Sequence, residues 1–307
     1  MRIAVYGTGG VGGYFGGRLA LAGADVHLIA RGAHLQALRR QGLRVRSVRG
    51  DFEVTLPATD DPAEIGPSDF VIFSVKSFDT EQAAGRLQPL LGEETAVVSF
   101  QNGIDNEEGI ARAVGWKHVM GGAAYIFSTI AEPGVIEDSG GPARIVFGEF
   151  DRPTSPRAER LLELCRKADI DAHLAEDIRS VLWDKFAFIC ALAGMTAAVR
   201  LPLREIREAP EAWRAFRRVV EEVCAVAAAE GVTLPEGTVD RHVAFAEGLA
   251  TESFSSLHFD LTHGRPMELD ALHGTVVRLG REHGVPVSTC EAIYGILQPW
   301  AERNRRG

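Results

Sequence analysis

The fold is decided by residues 2–31, RIAVYGTGGVGGYFGGRLALAGADVHLIAR. A β-rich run, RIAVY, is followed by a glycine-rich turn, a helical stretch and a second apolar run, DVHLIA, at residues 25–30. This order is typical of a strand–helix–strand unit, and the second run has the apolar character of a parallel strand buried on both faces. The N-terminal half is therefore predicted to be a doubly wound α/β sheet.

The turn between the two runs, residues 7–12, reads GTGGVG and fits the pattern GxGxxG. Gly7 permits a tight turn, Gly9 lets the backbone approach a pyrophosphate, and Gly12 lets the helix pack closely on the strand. The pattern has this meaning only between a strand and a helix, which is where it lies here. The alternative is a glycine-rich turn that binds nothing. The residues predicted to bind a dinucleotide are Gly7, Thr8, Gly9, Gly10, Val11 and Gly12.

The kind of dinucleotide is indicated by Arg31, which follows the second strand. An NAD site places a carboxylate about 20 residues after the glycines, where it binds the ribose hydroxyls. An arginine can instead form charge-assisted hydrogen bonds to a 2′-phosphate. Arg31 therefore predicts NADP rather than NAD, and the alternative is a solvated arginine at the start of a helix.

The pattern of strands and helices continues along the first half of the chain. A helix over residues 35–40 is expected to end at Gly42, and the runs LRVRSV and DFEVTL suggest an antiparallel pair turned at Gly50. Buried runs at residues 69–75 and 95–100 predict two further parallel strands.

A different pattern begins near residue 118. Strands over residues 118–150, broken at Pro133-Gly134 and Gly140-Gly141, are expected to complete the sheet as hairpins, and a helix follows over residues 155–168. From residue 178 the pattern is helical almost throughout. The predicted helix stops are Gly231, Gly264 and Gly284.

These patterns predict two domains in a chain of 307 residues: an N-terminal Rossmann domain over residues 1–175 and an all-α domain over residues 176–307. The net charge of −9 argues against a nucleic-acid partner, because binding phosphates requires a concentrated basic patch. The four cysteines form no CxxC pair, so neither a disulfide framework nor a thiolate zinc site is indicated. No HExxH spacing exists, and no metal site is predicted.

The longest apolar run, residues 186–199, is too short to span a bilayer and is interpreted as a buried helix. Since a strand pattern begins at residue 3, no signal peptide is predicted. We therefore expect a cytoplasmic protein without a membrane partner. A helical second domain also offers a face for a homodimer, although the sequence leaves the oligomeric state open.

Six short motifs together resemble the ketopantoate reductase family, in order and across nearly the whole chain. They are GTGGVG with Arg31, SVKS around Lys76, FQNG around Asn102, WDKF around Lys185, SSLHFD around Ser256, and GRPMELD around Glu268. The resemblance implies NADPH-dependent reduction of a 2-oxo acid to a 2-hydroxy acid. By analogy, the substrate is ketopantoate (2-dehydropantoate) and the product is pantoate, on the route to pantothenate.

Lys185 is the candidate proton donor. Hydride addition to a ketone develops an alkoxide that must be protonated, so the site needs an acid near the carbonyl oxygen. Lys185 precedes the apolar run, and partial desolvation there is expected to lower its pKa toward working pH. The alternative is an ordinary lysine at a helix start with its ammonium in solvent.

Two further residues are assigned roles by the resemblance. Glu268 would hydrogen-bond the substrate hydroxyl and hold Lys185 in place, unless it is merely a surface acid in the first turn of a helix. Ser256 would contact the substrate carboxylate, and its ordinary alternative is a helix N-cap.

Lys76 and Asn102 follow two buried strands, so their side chains are expected at the carboxyl ends of the sheet, where open α/β sheets bind ligands. Lys76 would neutralise charge on the cofactor or substrate, and Asn102 would hydrogen-bond near the nicotinamide and the substrate. A simple turn is the alternative for Gln101-Asn102-Gly103.

The chain departs from the resemblance at two positions. Pantoate-forming members carry asparagines four and eight residues after the lysine, where this chain has Ile189 and Ala193. Three hypotheses follow: ketopantoate reductase, a related NADPH-dependent reductase of a more apolar 2-oxo acid, or a non-catalytic NADPH-sensing protein. Joint retention of Lys185, Ser256 and Glu268 argues against the sensor, which has no use for a proton donor.

Overall fold

The computed structural model describes residues 1–249 and 253–306. Contacts divide the chain into two units. The first contains Met1–Gln101 and Asn106–Ile178, and the second contains Asn102–Asp105 and the residues from Arg179 onward.

The first unit is built on one mixed sheet. Within the described residues its strands are β1 (Arg2–Tyr6), β2 (Asp25–Ile29), β3 (Leu43–Ser47), β4 (Phe52–Val54), β5 (Ala58–Thr59), β6 (Ser68–Phe73), β7 (Leu91–Ser99), β8 (Val119–Glu132), β9 (Val135–Gly148) and β10 (Asp171–Leu174). Its helices are α1 (Gly10–Leu21), α2 (Gly32–Gln41), α3 (Thr80–Ala84), α4 (Asn106–Val114) and α5 (Pro156–Lys167).

The strand order is β4-β3-β9-β8-β7-β6-β1-β2-β5, with β10 also paired to β9. Strands β8, β7, β6, β1, β2 and β5 are parallel to their neighbours in this series, whereas β9 runs antiparallel to β8. Buried side chains of α1, α2 and α5 pack in one core cluster of the sheet. Those of α3 and α4 pack in another. The predicted doubly wound α/β fold is confirmed.

Most predicted elements of this unit are present. The antiparallel pair of β3 and β4 and the hairpin of β8 and β9 are confirmed. The break expected at Gly140-Gly141 was wrong, because both residues lie inside β9, where positive φ angles accompany a shift in register with β8. The short strands β5 and β10 were not predicted.

The second unit is helical over its described residues. Its elements are α6 (Ile178–Val199, which starts at the last residue of the first unit), α7 (Leu203–Glu208), α8 (Pro210–Ala229), α9 (Thr238–Glu247), α10 (Ser256–Thr262), a π-helical turn (Asp270–Gly274), α11 (Thr275–His283) and α12 (Ser288–Arg306). The three glycines predicted to stop helices, Gly231, Gly264 and Gly284, have left-handed φ angles just beyond α8, α10 and α11. The predicted all-α character is confirmed.

Helix α6 is longer than the apolar run that predicted it. It has 22 residues, so among the described residues it is the one helix long and apolar enough to cross a membrane by length and composition. In this fold 78% of its most apolar window is buried. It therefore forms the centre of the helical core, against residues of α8, α11 and α12.

Gly12 provides a test of how closely α1 lies on the sheet. A Cβ there would overlap the Gly7 carbonyl oxygen and the Ser74 hydroxyl and lie 2.9 Å from Cγ1 of Val5, whereas a Cβ at Gly9 would meet no described atom within 4 Å. We expect Gly12→Ala to lower the free energy of unfolding by about 1–3 kcal/mol, as overpacking does. The matched variant Gly9→Ala should change it little. Urea denaturation of both variants measures this, and equal stabilities would contradict the close contact.

Candidate active site

The glycine-rich loop connects β1 to α1 and is shaped by backbone contacts. Gly7 has a φ of +100°, and its carbonyl accepts a hydrogen bond from Ser74 Oγ at 2.8 Å. Because Gly12 has no side chain, there is room for this hydrogen bond; a Cβ at Gly12 would overlap both of its oxygen atoms. The first turn of α1 contains no acidic residue, and the N-cap Gly9 offers no side chain to its amides. These amides and the positive end of the helix dipole can therefore receive an anion.

His34 holds this loop from α2, a role that the sequence did not indicate. Its Nε2 lies 2.7 Å from the Thr8 carbonyl oxygen, and its Nδ1 accepts a hydrogen bond from the Gly134 amide at 3.0 Å. Because Nδ1 is an acceptor, the proton must lie on Nε2, which donates to Thr8. Burial lowers the pKa of His34, which favours this neutral form. Thr8 is itself buried, and its hydroxyl donates to the Ile29 carbonyl at 3.1 Å.

Arg31 is the N-cap residue of α2 and has an exposed side chain. Its Nη2 lies 2.6 Å from Oδ2 of Asp79, in the turn that follows β6. Asp79 is a second residue that the sequence did not indicate, because it lies 48 positions from Arg31.

The loops after β6 and β7 are fastened to each other by Gln101. Its Nε2 donates to the Val75 carbonyl at 3.0 Å and to Thr80 Oγ1 at 2.7 Å. Lys76 begins the turn Ser77–Asp79 at the carboxyl end of β6. The location expected for Lys76 is therefore the observed one.

Lys185 lies well inside α6, so the alternative of a lysine at a helix start is wrong, because the helix begins seven residues earlier. The residue is 8% exposed. Its Nζ donates a hydrogen bond to Oδ1 of Asn102 at 3.0 Å. The structure thus brings together two of the predicted site residues, 83 positions apart in sequence.

The residue before Lys185 anchors this turn of α6 to α9. Asp184 accepts hydrogen bonds from Arg241 Nη2 at 2.6 Å and from His242 Nε2 at 3.1 Å. Burial opposes ionisation of Asp184, but the bonds from His242 and Arg241 outweigh it and lower the pKa to about 2. The carboxylate is therefore charged at neutral pH and fixes α6 close to Lys185.

Glu268 is a buried carboxylate, 8% exposed, between the buried side chains of Met267 and Leu269. The alternative of a surface acid is therefore wrong. The residue lies two positions before the π-helical turn, and its carbonyl accepts the Leu272 amide at 3.2 Å. Turns of π type often accompany functional sites, because the extra residue redirects a side chain.

Ser256 is exposed and is the first residue of α10. The alternative that it is the N-cap is wrong, since that cap is Ser255, whose Oγ accepts the His258 amide at 3.0 Å. Ser255 Oγ also lies 2.7 Å from Oγ1 of Thr196, which donates its own proton to the Leu192 carbonyl. Ser255 must therefore be the donor to Thr196, and this bond fixes the start of α10 to α6.

Ile189 and Ala193 lie four and eight residues beyond Lys185 in the same continuous helix, so the three share one face. Ile189 is partly buried and Ala193 is 4% exposed. Neither side chain can form a hydrogen bond.

His273 is a third residue that sequence reasoning did not single out. It lies in the π-helical turn, is fully buried, and both ring nitrogens lack hydrogen-bond partners among the described residues. A Cβ at Gly194 would overlap the ring, so α6 and the π-helical turn meet here without an intervening side chain. Burial lowers the pKa of His273 to about 4. The ring is therefore neutral at pH 7.

No group of three or more His, Cys, Asp and Glu that could hold a metal ion occurs among residues 1–249 and 253–306. The four cysteines all lie within these ranges and are free thiols.

Comparison with known families accounts for this arrangement. The family model "Ketopantoate reductase PanE/ApbA" matches residues 3–152, and "Ketopantoate reductase PanE/ApbA C terminal" matches residues 177–301. The chain belongs to the ketopantoate reductase family. It is accordingly an oxidoreductase that depends on a pyridine nucleotide.

Comparisons with individual proteins are consistent with this family. The chain is 32% identical to the 2-dehydropantoate 2-reductase of Mesorhizobium japonicum, with 97% of each sequence covered. The solved PanE/ApbA family ketopantoate reductase of Ralstonia eutropha JMP134 has a TM-score of 0.92 at 32% identity, covering 99% of this chain and all of that one. D-mandelate dehydrogenase, solved in a ternary structure with NADH and anilino(oxo)acetate, has a TM-score of 0.90 at 22% identity over 99% of both chains, and shares the fold.

The buried His273 predicts a pH dependence of stability. Its pKa is about 4 in the folded chain and near 6.5 when unfolded, so the unfolded chain binds the proton more readily. This contribution to stability is full above pH 6.5 and is lost as the pH falls toward 4. Between pH 7 and pH 5 the loss should be about 2 kcal/mol.

Denaturant unfolding of wild type and His273→Leu at both pH values measures this contribution. The leucine variant should lose less stability than wild type on acidification by that amount. His173→Gln, at an exposed position on β10, should keep the wild-type dependence. An identical acid loss in wild type and His273→Leu would contradict the assignment.

Proposed function

We propose that this protein reduces a 2-oxo acid to a 2-hydroxy acid with NADPH, and that ketopantoate is its first candidate substrate. The observation that carries the proposal is the buried ammonium of Lys185 hydrogen-bonded to Asn102, on the helix that also contains the two departures from the family pattern. A lysine held inside the protein by a polar side chain from the end of a sheet strand is a candidate proton donor, so its position favours a chemical role. The name of the Mesorhizobium relative supports the choice of substrate.

The residues predicted to bind the cofactor suit a pyridine dinucleotide. The proposed contacts are Gly7, Thr8, Gly9, Gly10, Val11, Gly12, Arg31, Lys76 and Asn102. The free amides at the start of α1 would bind the pyrophosphate, and Arg31 would bind a 2′-phosphate, which favours NADPH over NADH. When bound, the cofactor would supply the hydride.

The protein supplies the proton. As the carbonyl carbon gains a hydride, the oxygen becomes an alkoxide, and the Lys185 ammonium transfers one proton to it. The neutral amine left on Lys185 then takes a proton from solvent. Asn102 holds the Lys185 ammonium by accepting a hydrogen bond from one of its three N–H groups. Glu268 would accept a hydrogen bond from the new hydroxyl, and Ser256 would bind the substrate carboxylate.

The proposal also includes the domains, the location and the partners of the protein. We propose a nucleotide-binding domain over residues 1–175 and a catalytic domain over residues 176–307, in a cytoplasmic enzyme without nucleic-acid or membrane partners. A homodimer through the helical domain is also proposed. A sensor without activity is disfavoured, since it would not need a buried lysine beside Asn102.

A second candidate substrate is a more apolar 2-oxo acid. The observation favouring it is that Ile189 and Ala193 share the helix face of Lys185 and offer no hydrogen-bonding group. The D-mandelate dehydrogenase of the same fold was solved with anilino(oxo)acetate, a compound with an aromatic group. Oxidation of NADPH by the purified protein with a panel of 2-oxo acids, including ketopantoate, tests the proposed function and separates the two candidates.

The role of Lys185 predicts a specific defect. Lys185→Ala should lose about 10² to 10⁴ in kcat, the range associated with one general acid, while binding NADPH as wild type does. Lys167→Ala, which removes an exposed lysine paired with Glu163, is the matched control and should keep full activity. Steady-state kinetics and nicotinamide fluorescence supply the two readouts. Turnover of Lys185→Ala near the wild-type rate would show that another group donates the proton.

The face of α6 predicts the substrate preference. A ketopantoate hydroxyl placed against Ile189 and Ala193 would lose its water partners, at a cost of about 1–3 kcal/mol. We expect ketopantoate to be reduced with a lower kcat/KM than a 2-oxo acid of similar size without the hydroxyl. Because apolar pockets reject hydroxyls only weakly, the ratio should be roughly tenfold to a hundredfold.

The double variant Ile189→Asn with Ala193→Asn should shift this ratio toward ketopantoate, and each single variant should shift it partly. Thermal melts must accompany the kinetics, since Ala193 is buried and an asparagine there is larger. A wild-type preference for ketopantoate over its deoxy analogue would refute the prediction and assign the hydroxyl to another partner.

A further inference from the structure

The ion pair between Arg31 and Asp79 bears on how the chain distinguishes NADPH from NADH. Their side chains are 66% and 25% exposed, and Arg31 Nη2 lies 2.6 Å from Asp79 Oδ2. Asp79 is the better held of the two, because its amide donates to the Lys76 carbonyl at 2.8 Å in the turn that follows β6. Arg31 is therefore the partner whose side chain is freer to move.

Near this pair, the charges that act on Tyr6 are two arginines and two aspartates. Burial raises the pKa of Tyr6, and the charges that act on its hydroxyl are those of Arg86 and Arg31, which lower the pKa, and of Asp61 and Asp79, which raise it. Arg86 has its own carboxylate, Asp61, at 3.8 Å. Each arginine at this corner of the sheet thus faces an aspartate, and Asp79 offsets the charge of Arg31.

A 2′-phosphate and a 2′-hydroxyl would respond to Asp79 in opposite ways. A phosphate on the Arg31 guanidinium would lie within a few ångströms of the Asp79 carboxylate and carry nearly two negative charges, so the two anions repel. A ribose hydroxyl could instead donate a hydrogen bond to that carboxylate, as it does to the acid of an NAD site. Here the acid follows β6, whereas in the usual NAD site it follows the second strand.

We propose that Asp79 is a specificity-determining residue that opposes Arg31, weakening NADPH binding and supporting NADH binding. The proposal rests on the proposed function, because it requires a pyridine nucleotide at the glycine-rich loop. An exposed ion pair contributes little to stability, so the effect of Asp79 should be seen in cofactor binding and not in folding. If Asp79 merely oriented Arg31 toward the phosphate, its removal would weaken NADPH binding instead.

The test is a set of dissociation constants for NADPH and NADH, measured by fluorescence titration at low salt, for wild type, Asp79→Asn, Arg31→Ala and the double variant. Asp79→Asn should bind NADPH about tenfold more tightly and NADH no more tightly than wild type. Asp61→Asn removes an equal charge from the neighbouring pair and should move the ratio of the two constants by less. Raising the salt concentration should reduce the effect of Asp79→Asn, since the charges are exposed.

The outcomes distinguish the inference about Asp79 from the cofactor assignment in the proposed function. An unchanged ratio in Asp79→Asn, or weaker NADPH binding, overturns the inference about Asp79. If Arg31→Ala binds NADPH as wild type does, or if wild type binds neither nucleotide, the cofactor assignment in the proposed function fails, whatever Asp79 does. An increase in NADPH affinity on Asp79→Asn that persists in the Arg31→Ala background supports direct repulsion of the phosphate.

Discussion

The first unit depends on how closely α1 approaches the sheet. Gly12, Gly13 and Gly16 lie on the side of the helix that faces Val5 and Ile136, where a Cβ would meet those side chains at less than 3 Å. With no side chains in between, the N-terminal amides of α1 lie directly after β1, next to the Gly7 turn. The same absence of side chains that lets helix and strand pack also leaves the loop open for an anion. The packing of α1 and the proposed nucleotide site therefore depend on the same glycines.

In the second unit, a single long helix contributes to the core and contains the proposed proton donor, Lys185. The buried side chains of α6 pack against α8, α11 and α12, and Lys185 lies among them with its ammonium bonded to Asn102. Polar contacts hold this helix at two points, through Asp184 near Lys185 and through Thr196 near its end. These bonds connect the helix that contains Lys185 to α9 and to the start of α10.

The sequence predicted best where its signals are local. The tight turn at Gly7, the helix stops at Gly231 and Gly284, and the alternation of strands and helices all depend on the conformational limits of single residues or on short periodic runs. The motif series also led to the family, and it singled out both Lys185 and Asn102, although not the hydrogen bond between them. The apolar run covers only part of α6, because Asp184 and Lys185 interrupt it, and both have hydrogen-bond partners far away in sequence.

The sequence could not predict contacts that depend on the order of the strands in the sheet. Asp79 meets Arg31 because β6 and β2 flank β1, an order that no local pattern records. Ser255, and not Ser256, caps α10, and adjacent serines cannot be distinguished without the backbone. His273 follows the apolar spacing of Leu269 and Val276, but a histidine in such a pattern cannot be identified as fully buried from the sequence alone.

The histidine clamp on the glycine-rich loop has a consequence for the thermodynamics of cofactor capture. Thr8 is held by His34 and by Ile29 without any ligand, so part of the loop is already fixed by hydrogen bonds within the protein. Little conformational entropy then remains to be lost on association, and the full strength of the amide and dipole interactions contributes to affinity. The clamp is neutral, so it adds no charge that would compete for the pyrophosphate. In the proposed site, the glycine-rich loop would thus bind the pyrophosphate with little rearrangement. Selectivity between nucleotides would depend on the charged side chains of Arg31 and Asp79.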